Sequence, residues 1–310
     1  MRILVTGGAG FIGRHLVEKL LTEPGVTVVR AADRARCAPD MAQNSKLDFR
    51  CGDLRDAIFR DAALEGIDVV LHQAALPSVP RSINAPLPTH LDGVDLTFRM
   101  LESARLSGVK RFVYASSSSV YGDADAPVRH EELPLRPRSP YAATKAAGEL
   151  YLRAYAQSFE MDTLSLRYFN VFGPRQPPDS PYSAVIARFA RAYLSNQPID
   201  VHGDGLQSRD FTFVENAVQA NLLAARATER LGGRAVNVAC GESWTVKQLL
   251  EMLYELTGNR PAVRFGPLRA GDVAHSKADL TLAHTLLKYA PQVRFKEGLA
   301  RTVEWYRAHP

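Results

Sequence analysis

Cysteine is scarce in this chain of 310 residues. Only Cys37, Cys51 and Cys240 occur, far apart and odd in number. Such a set argues against a disulfide framework and against a zinc site, and it points to a reducing, cytoplasmic compartment. No metal is expected. Long apolar runs are missing too. Met1 leads straight into a strand pattern, with no charged leader, no apolar signal core and no run of about 18 apolar residues. The expectation is a protein neither exported through a signal peptide nor membrane-spanning. A basic arm is absent as well. The 38 Lys and Arg residues are spread along the chain, without a nucleic-acid-binding motif. The net charge of +5 therefore suits a solvated surface or an anionic small substrate, and no nucleic-acid partner is expected. No internal repeat and no low-complexity tract appears.

What is present reads as an ordinary globular chain, 46% hydrophobic and 23% charged. Its length suffices for one large α/β domain and a smaller one. Residues 2–6, Arg-Ile-Leu-Val-Thr, read as a short buried strand. A glycine-rich turn and an apolar-periodic helix over 11–22 follow. Further strands are expected at 26–32, 46–51, 68–71, 110–115 and 161–168, and helices over about 90–107 and 141–158. Strands alternating with helices imply βαβ units, a parallel sheet and right-handed crossovers. After residue 170 the character changes. Segment 173–182 carries four prolines in ten residues and reads as a loop. Shorter elements follow: helices at 183–195, 215–227, 245–257 and 296–307, and strands near 199–202, 210–214 and 235–238. The fold class that follows is α/β, a Rossmann doubly wound parallel sheet with a smaller C-terminal α/β domain. We divide the chain at 1–170 and 171–310, with segments of the second domain partly interleaved with the first.

Gly7-Gly8-Ala9-Gly10-Phe11-Ile12-Gly13 lies between the first strand and the first helix. Gly7 allows a tight turn, Gly10 lets the backbone approach a pyrophosphate, and Gly13 lets the helix pack closely on the strand. The helix start at Phe11 and Ile12 then faces the phosphates with free N–H groups. A plain Gly-rich turn is the alternative. Asp33 closes the second strand, 26 residues after Gly7. A carboxylate there accepts from the adenosine ribose hydroxyls and favours NAD over NADP. Arg34 and Arg36 stand close by as candidates to hold a 2′-phosphate instead. Gly52-Asp53-Leu54 follows the third strand, and Asp53 is placed either at the adenine or as a helix N-cap.

Tyr141-Ala142-Ala143-Thr144-Lys145 opens a helix. Tyr and Lys at i and i+4 share a face. A lysine cation beside a phenol favours the phenolate and lowers its pKa, which suits a general base toward a sugar hydroxyl. The string alone is common by chance. The run Ser116-Ser117-Ser118-Ser119 follows the strand at 110–115 and precedes Val120-Tyr121-Gly122. The end of a parallel strand is where an open α/β sheet presents its site, though a polar turn reads the same way.

Glycine loop, serine run and Tyr-x-x-x-Lys, in this order and spacing, make the chain resemble the extended short-chain dehydrogenases/reductases of the NAD-dependent nucleotide-sugar epimerase/dehydratase group. Within that group it is most similar to UDP-N-acetylglucosamine 4-epimerases. The runs His72-Gln73-Ala74-Ala75, Ser78-Val79-Pro80-Arg81-Ser82, Arg167 to Gly173, Arg209-Asp210-Phe211 and Gly271-Asp272 extend the resemblance over nearly the whole chain. It implies an NAD-binding domain at 1–170, holding the cofactor through the glycine loop, Asp33, Asp53, Leu54 and Lys145, and a nucleotide-sugar-binding domain at 171–310. It implies Ser117 as the hydroxyl bonded to sugar O4, Tyr141 as the base and Lys145 as the residue on the nicotinamide ribose. Ser78, Arg81 and Ser118 fall in its substrate-binding runs. Asn170, Arg209 and Arg269 would meet the diphosphate. Asp272 would hold the uridine ribose. The sugar would be oxidised at C4 to a ketone, turned over and reduced on its other face.

The same resemblance separates reaction classes. Relatives that dehydrate or decarboxylate the sugar carry carboxylates where this chain has Ser118 and Ser119. Glucuronate epimerases carry Thr in place of Asn170 and an arginine in place of Pro177. Ser119, Asn170 and Gln176 match contacts to an acetamido group, and Ser276 falls on a position that gates pocket size, although an ordinary surface serine reads the same way. The family's Asn in the helix before the serine strand is replaced here by Gly93. His72 reads as structural or as a residue near the cofactor edge. A UDP-glucuronate 4-epimerase, another nucleotide-sugar oxidoreductase and a non-catalytic NAD-binding scaffold are the competing readings. Relatives pair through helices corresponding to 90–107 and 141–158, which implies a homodimer.

Overall fold

The computed structural model describes residues 1–37, 43–124, 126–178, 185–267 and 275–310. The first half runs β1 (Arg2–Thr6), α1 (Phe11–Thr22), β2 (Val28–Asp33), β3 (Leu47–Cys51), α2 (Ala57–Leu64), β4 (Val69–His72), α3 (Val79–Asn84), α4 (Pro86–His90), α5 (Leu96–Leu106), β5 (Arg111–Ser117), α6 (Pro140–Ser158) and β6 (Asp162–Tyr168). The second half runs β7 (Val171–Phe172), α7 (Val185–Leu194), β8 (Ile199–His202), β9 (Ser208–Arg209), β10 (Thr212–Phe213), α8 (Val214–Arg226), β11 (Arg234–Val238), β12 (Trp244–Thr245), α9 (Val246–Thr257), β13 (Val263–Gly266), α10 (Thr281–Leu287) and α11 (Phe295–Ala308).

Seven strands form a parallel sheet in the order β3-β2-β1-β4-β5-β6-β11. In β1, Ile3, Leu4 and Val5 are fully buried, as a strand covered by helices on both faces requires. Val5 sits opposite Ala31 on one side and Leu71 on the other. The chain leaves β1 toward β2 and β3, then returns across it to β4. Adjacent loops therefore diverge at the carboxyl ends of β1 and β4, and a crevice opens there. On one sheet face α1 and α8 bury Leu16, Leu20, Ala217 and Ala224. On the other, α5 and α6 contribute Met100, Leu101, Leu152 and Tyr155.

The second half builds its own core. Phe172, Phe211, Phe213 and Phe295 meet ring to ring, with Phe211 stacked on Phe295 at 4.9 Å between centroids. Such rings supply much buried apolar area with few rotamers to freeze. One strand of this half, β11, leaves that core and adds to the sheet edge beside β6. The helix expected over 90–107 is one run from α4 through a π-helical turn, Leu91–Asp95, into α5. Strands β12 and β13 and helix α10 lie outside the sequence expectation. Each is short and depends on a distant partner, as β13 does on β8.

Candidate active site

A cleft of about 760 Å³ opens at the carboxyl ends of the strands. Its floor is the glycine loop. Gly7 has a φ of +68°, and a Cβ on Gly13 would lie 2.0 Å from the Gly7 carbonyl oxygen, so α1 reaches β1 only without side chains there. This is a cradle that a Cβ would fill, and it fits a dinucleotide pyrophosphate at the α1 N-terminus. Phe11, Ile12, Asp33, Asp53 and Leu54 line the same end. The Asp33 carboxylate accepts from Ala9 N at 3.0 Å and Ala35 N at 2.9 Å, which ties β2 to the loop. Asp53 is not a helix cap. Asp56 caps α2, accepting from Phe59 N at 2.8 Å. Asp53 instead pairs with Arg55 at 2.7 Å and Arg34 at 3.2 Å, and these guanidiniums hold its carboxyl well below the usual range.

The groups expected to react come from β5 and α6. Ser139 caps α6 by accepting from Ala142 N, and Pro140 starts it. This fixes Tyr141 and Lys145 on one face, both on the cleft wall beside Ser117, Ser118 and Ser119. Ser117 hydrogen-bonds the Tyr141 phenol and accepts from Ser119 N at 3.2 Å. The expected lowering of the Tyr141 pKa by Lys145 is not what the geometry does. Burial pushes the phenol up, and only the Ser117 bond opposes that. The Lys145 Nζ donates to the Ala115 carbonyl at 2.7 Å and lies 5.8 Å from the Tyr141 ring centre. Burial also pushes Lys145 down to about 7, so it carries less charge at neutral pH than an exposed lysine.

Behind this pair a buried chain of hydroxyls is directional. Thr6 Oγ1 accepts from Gln73 N and Ala74 N, so it donates to His72 Nδ1 at 2.8 Å. The Thr97 hydroxyl donates to the Gly93 carbonyl at 2.7 Å, which leaves His72 Nε2–H donating to Thr97 at 3.3 Å. Burial lowers the His72 pKa to about 3, so the ring is neutral and structural. Gly93 is explained by contact. A Cβ there would lie 2.6 Å from the Thr144 side chain, one residue before Lys145. The helix therefore packs directly on α6 at Gly93.

The opposite wall comes from distant segments. Asn170, with φ +38°, donates through Nδ2 to the Asp210 carbonyl at 2.9 Å. Asp210 is fully buried. Its carboxylate accepts from Cys240 N, Gly241 N and Ala278 N, and burial nonetheless pushes it up to about 7. This carboxylate fastens β9, and with it Arg209, to the segment carrying Ser276. Arg209 and Ser276 both line the cleft, Ser276 half-buried and donating through its backbone to Ser208 O. Ser119 Oγ and Gln176 Oε1, also on the cleft wall, are buried without a hydrogen-bond partner among the described residues. Buried polar atoms of that kind await a ligand or water.

Of the sequence-expected residues, Ser78 lines the cleft and caps α3, accepting from Arg81 N at 3.1 Å. Arg81 is not among the residues that line the cleft. Arg269 and Asp272 lie outside the described residues. Sequence reasoning missed Asp92 and Arg129, both on the wall. Arg129 donates to Ala126 O at 2.6 Å and to Ala124 O. Neither residue sits in a recognisable motif, so no local signal marks them. Among the described residues no cluster of His, Cys, Asp or Glu could hold a metal. Among the described residues no helix is long and apolar enough to cross a membrane.

Residues 3–239 match the model of the NAD dependent epimerase/dehydratase family. The UDP-glucose 4-epimerase of Mycolicibacterium smegmatis is 38% identical over 99% of both chains. The UDP-N-acetylglucosamine 4-epimerase from Methanobrevibacter ruminantium M1, solved with UDP-N-acetylmuramic acid, superposes with a TM-score of 0.93 at 35% identity, covering 100% of this chain and 99% of that one. MoeE5, solved with UDP-glucuronic acid and NAD, gives a TM-score of 0.91 at 38% identity over 100% of both chains.

Proposed function

Because the chain belongs to the NAD-dependent epimerase/dehydratase family, we propose that it is a UDP-sugar 4-epimerase acting on UDP-GlcNAc/UDP-GalNAc and, less selectively, on UDP-Glc/UDP-Gal. One observation carries this reading. The carboxylates on the described cleft wall, Asp33, Asp53 and Asp92, all lie at the glycine-loop end, and the described residues around Tyr141 and Lys145 include Ser117, Ser118 and Ser119 and no carboxylate. Dehydration across C5 and C6 requires a further acid and base, which these serines do not supply. Oxidation at C4 and reduction of the same carbon need only one positioned proton acceptor.

NAD is the cofactor, and when bound it supplies reversible hydride acceptance at C4. Tyr141 takes and returns the O4 proton. Ser117 holds O4 and the phenol together. Lys145, once it exchanges the Ala115 carbonyl for the ribose hydroxyls, keeps the phenol oriented. Asn170 and Arg209 face the diphosphate, with Arg269 and Asp272 assigned to the same nucleotide by the family resemblance. The orphaned Ser119 Oγ and Gln176 Oε1 suit the amide of a 2-acetamido group, and the small Ser276 leaves it space. A UDP-glucuronate 4-epimerase is the second reading, since MoeE5 was solved with that nucleotide sugar.

On this reading residues 1–170 carry the cofactor and 171–310 the nucleotide sugar, in a cytoplasmic enzyme. We also assign a homodimer. Phe98 on α5 and Tyr151 on α6 are exposed and pack ring to ring at 5.2 Å, with exposed Leu106, Leu150 and Phe159 on the same two helices or just beyond them. Such a patch marks an interface. A monomeric mass at micromolar concentration refutes it.

The deciding experiment incubates purified protein, without added cofactor, with UDP-GlcNAc, UDP-Glc and UDP-GlcA separately and follows the sugar by NMR. Conversion to the C4 epimer, fastest for UDP-GlcNAc, is expected. Fastest turnover of UDP-GlcA establishes the second reading. No change with any substrate, even after NAD is added, overturns both.

A further inference from the structure

We propose that the pairing of Arg34 with Asp92 is what makes this chain reject a dinucleotide bearing a 2′-phosphate. The inference rests on the NAD-binding reading of the cleft and is independent of which sugar is turned over.

Arg34 follows Asp33 directly and lines the cleft with Asp53, Gly52 and Leu54. A guanidinium beside the ribose-binding carboxylate is the feature that ordinarily welcomes a 2′-phosphate. Here the fork is already filled. Nη1 donates to Asp92 Oδ2 at 2.9 Å, and Nη2 donates to Asp92 Oδ1 at 2.8 Å and to Asp53 Oδ1 at 3.2 Å. Two-pronged guanidinium–carboxylate contact is the strongest form of this pairing. The Asp92 side chain is only 7% exposed, held in the π-helical turn before α5. Pulling Arg34 toward a phosphate would strip that buried carboxylate of its two-pronged partner and leave it only the longer contact to Arg55 at 3.6 Å, a substantial penalty.

The local field points the same way. Among the described residues Arg34 is committed to Asp92 and Asp53, and Arg55 grips Asp53 at 2.7 Å, so Asp33 keeps its charge without an arginine partner. A phosphate dianion arriving there meets the Asp33 carboxylate, whereas a bare 2′-hydroxyl donates to it. Arg34 and Asp92 are 58 residues apart, so sequence alone offers Arg34 as a phosphate ligand.

The test measures binding, not turnover. Purified full-length protein is exchanged to constant composition against an equimolar mixture of NAD⁺ and NADP⁺ and freed of unbound nucleotide by gel filtration. The retained dinucleotides are then quantified by chromatography. Wild-type protein is expected to retain NAD⁺ in roughly 100-fold excess. Asp92→Asn should lower that ratio by about 10-fold or more, because the released fork turns to the phosphate. Adding Arg34→Ala to Asp92→Asn should restore it. Arg34→Lys keeps a counter-charge for Asp92 but loses the two-pronged contact, and should lower the ratio a few-fold; it decides the matter if Asp92→Asn does not fold. An unchanged ratio in both single variants, or a double variant that keeps the gain, overturns the proposal, as does a wild type that takes up NADP⁺ equally well. Failure to retain either dinucleotide overturns the NAD-binding reading itself.

Discussion

The two ends of the cleft are built by different means. At the glycine-loop end the polar groups bond each other: Asp33 holds the loop, Asp92 holds Arg34, and Asp53 bridges two guanidiniums. At the end lined by Tyr141 and Lys145, Ser119 Oγ and Gln176 Oε1 are left without partners among the described residues, and Lys145 is parked on a backbone carbonyl. The first end is a finished mould that admits one shape of ligand. The second, on the proposed reading, is completed by the ligand, so its hydrogen bonds would serve substrate discrimination more than folding.

This contrast can be broken or sharpened by substitution. Tyr141→Phe should lower kcat by about 10²–10⁴-fold while bound NAD is retained, measured by NMR turnover and dinucleotide content. Loss of NAD along with activity would blur the two ends into one. Gly13→Ala should act in the opposite sense. Its Cβ meets the Gly7 carbonyl at 2.0 Å, so stability should fall by about 1–3 kcal/mol and NAD should no longer raise the melting temperature. Asp210→Asn should cost about 1–3 kcal/mol in chemical denaturation, because one amide oxygen replaces two carboxylate oxygens that serve three backbone donors. Its KM should rise as Arg209 and Ser276 lose their common anchor.

Two smaller effects follow from the sugar end. Lys145 titrates near 7 when folded, below its ordinary range, so the unfolded chain holds a proton that the folded chain lacks. Stability in the absence of NAD should therefore rise with pH from about 7 to 10, and Lys145→Met should flatten that slope in melts across the window. Ser119→Ala should raise KM for UDP-GlcNAc about 5-fold and leave UDP-Glc nearly unchanged, the smallest of these shifts. An equal rise for both would remove the acetamido assignment.

The glycine-loop end was legible in the sequence because its parts are local. Gly7 to Gly13 and Asp33 follow two successive strands, and periodicity placed those strands within one or two residues. Tyr141 and Lys145 were legible for the same reason, being one helical turn apart. The electrostatics between them were not, since the Ala115 carbonyl that captures Lys145 belongs to β5. Asp92 and Arg129 escaped because their partners are non-local or are backbone carbonyls without sequence identity. Gly93 stood out in the sequence only as a replacement, and its packing contact with Thr144 is revealed only by the helix pairing.

The placement of β11 has a consequence for synthesis. It pairs with β6 along Leu164–Tyr168 and buries Val236 and Val238, yet it is made long after β6. Until residue 238 emerges, β6 presents a bare edge of unpaired backbone groups, the kind of edge that recruits other chains. At typical elongation rates the wait lasts on the order of several seconds. A stop anywhere before β11 leaves β6 as the edge in its place, without the pairing along Leu164–Tyr168 and without the cover of Val236 and Val238.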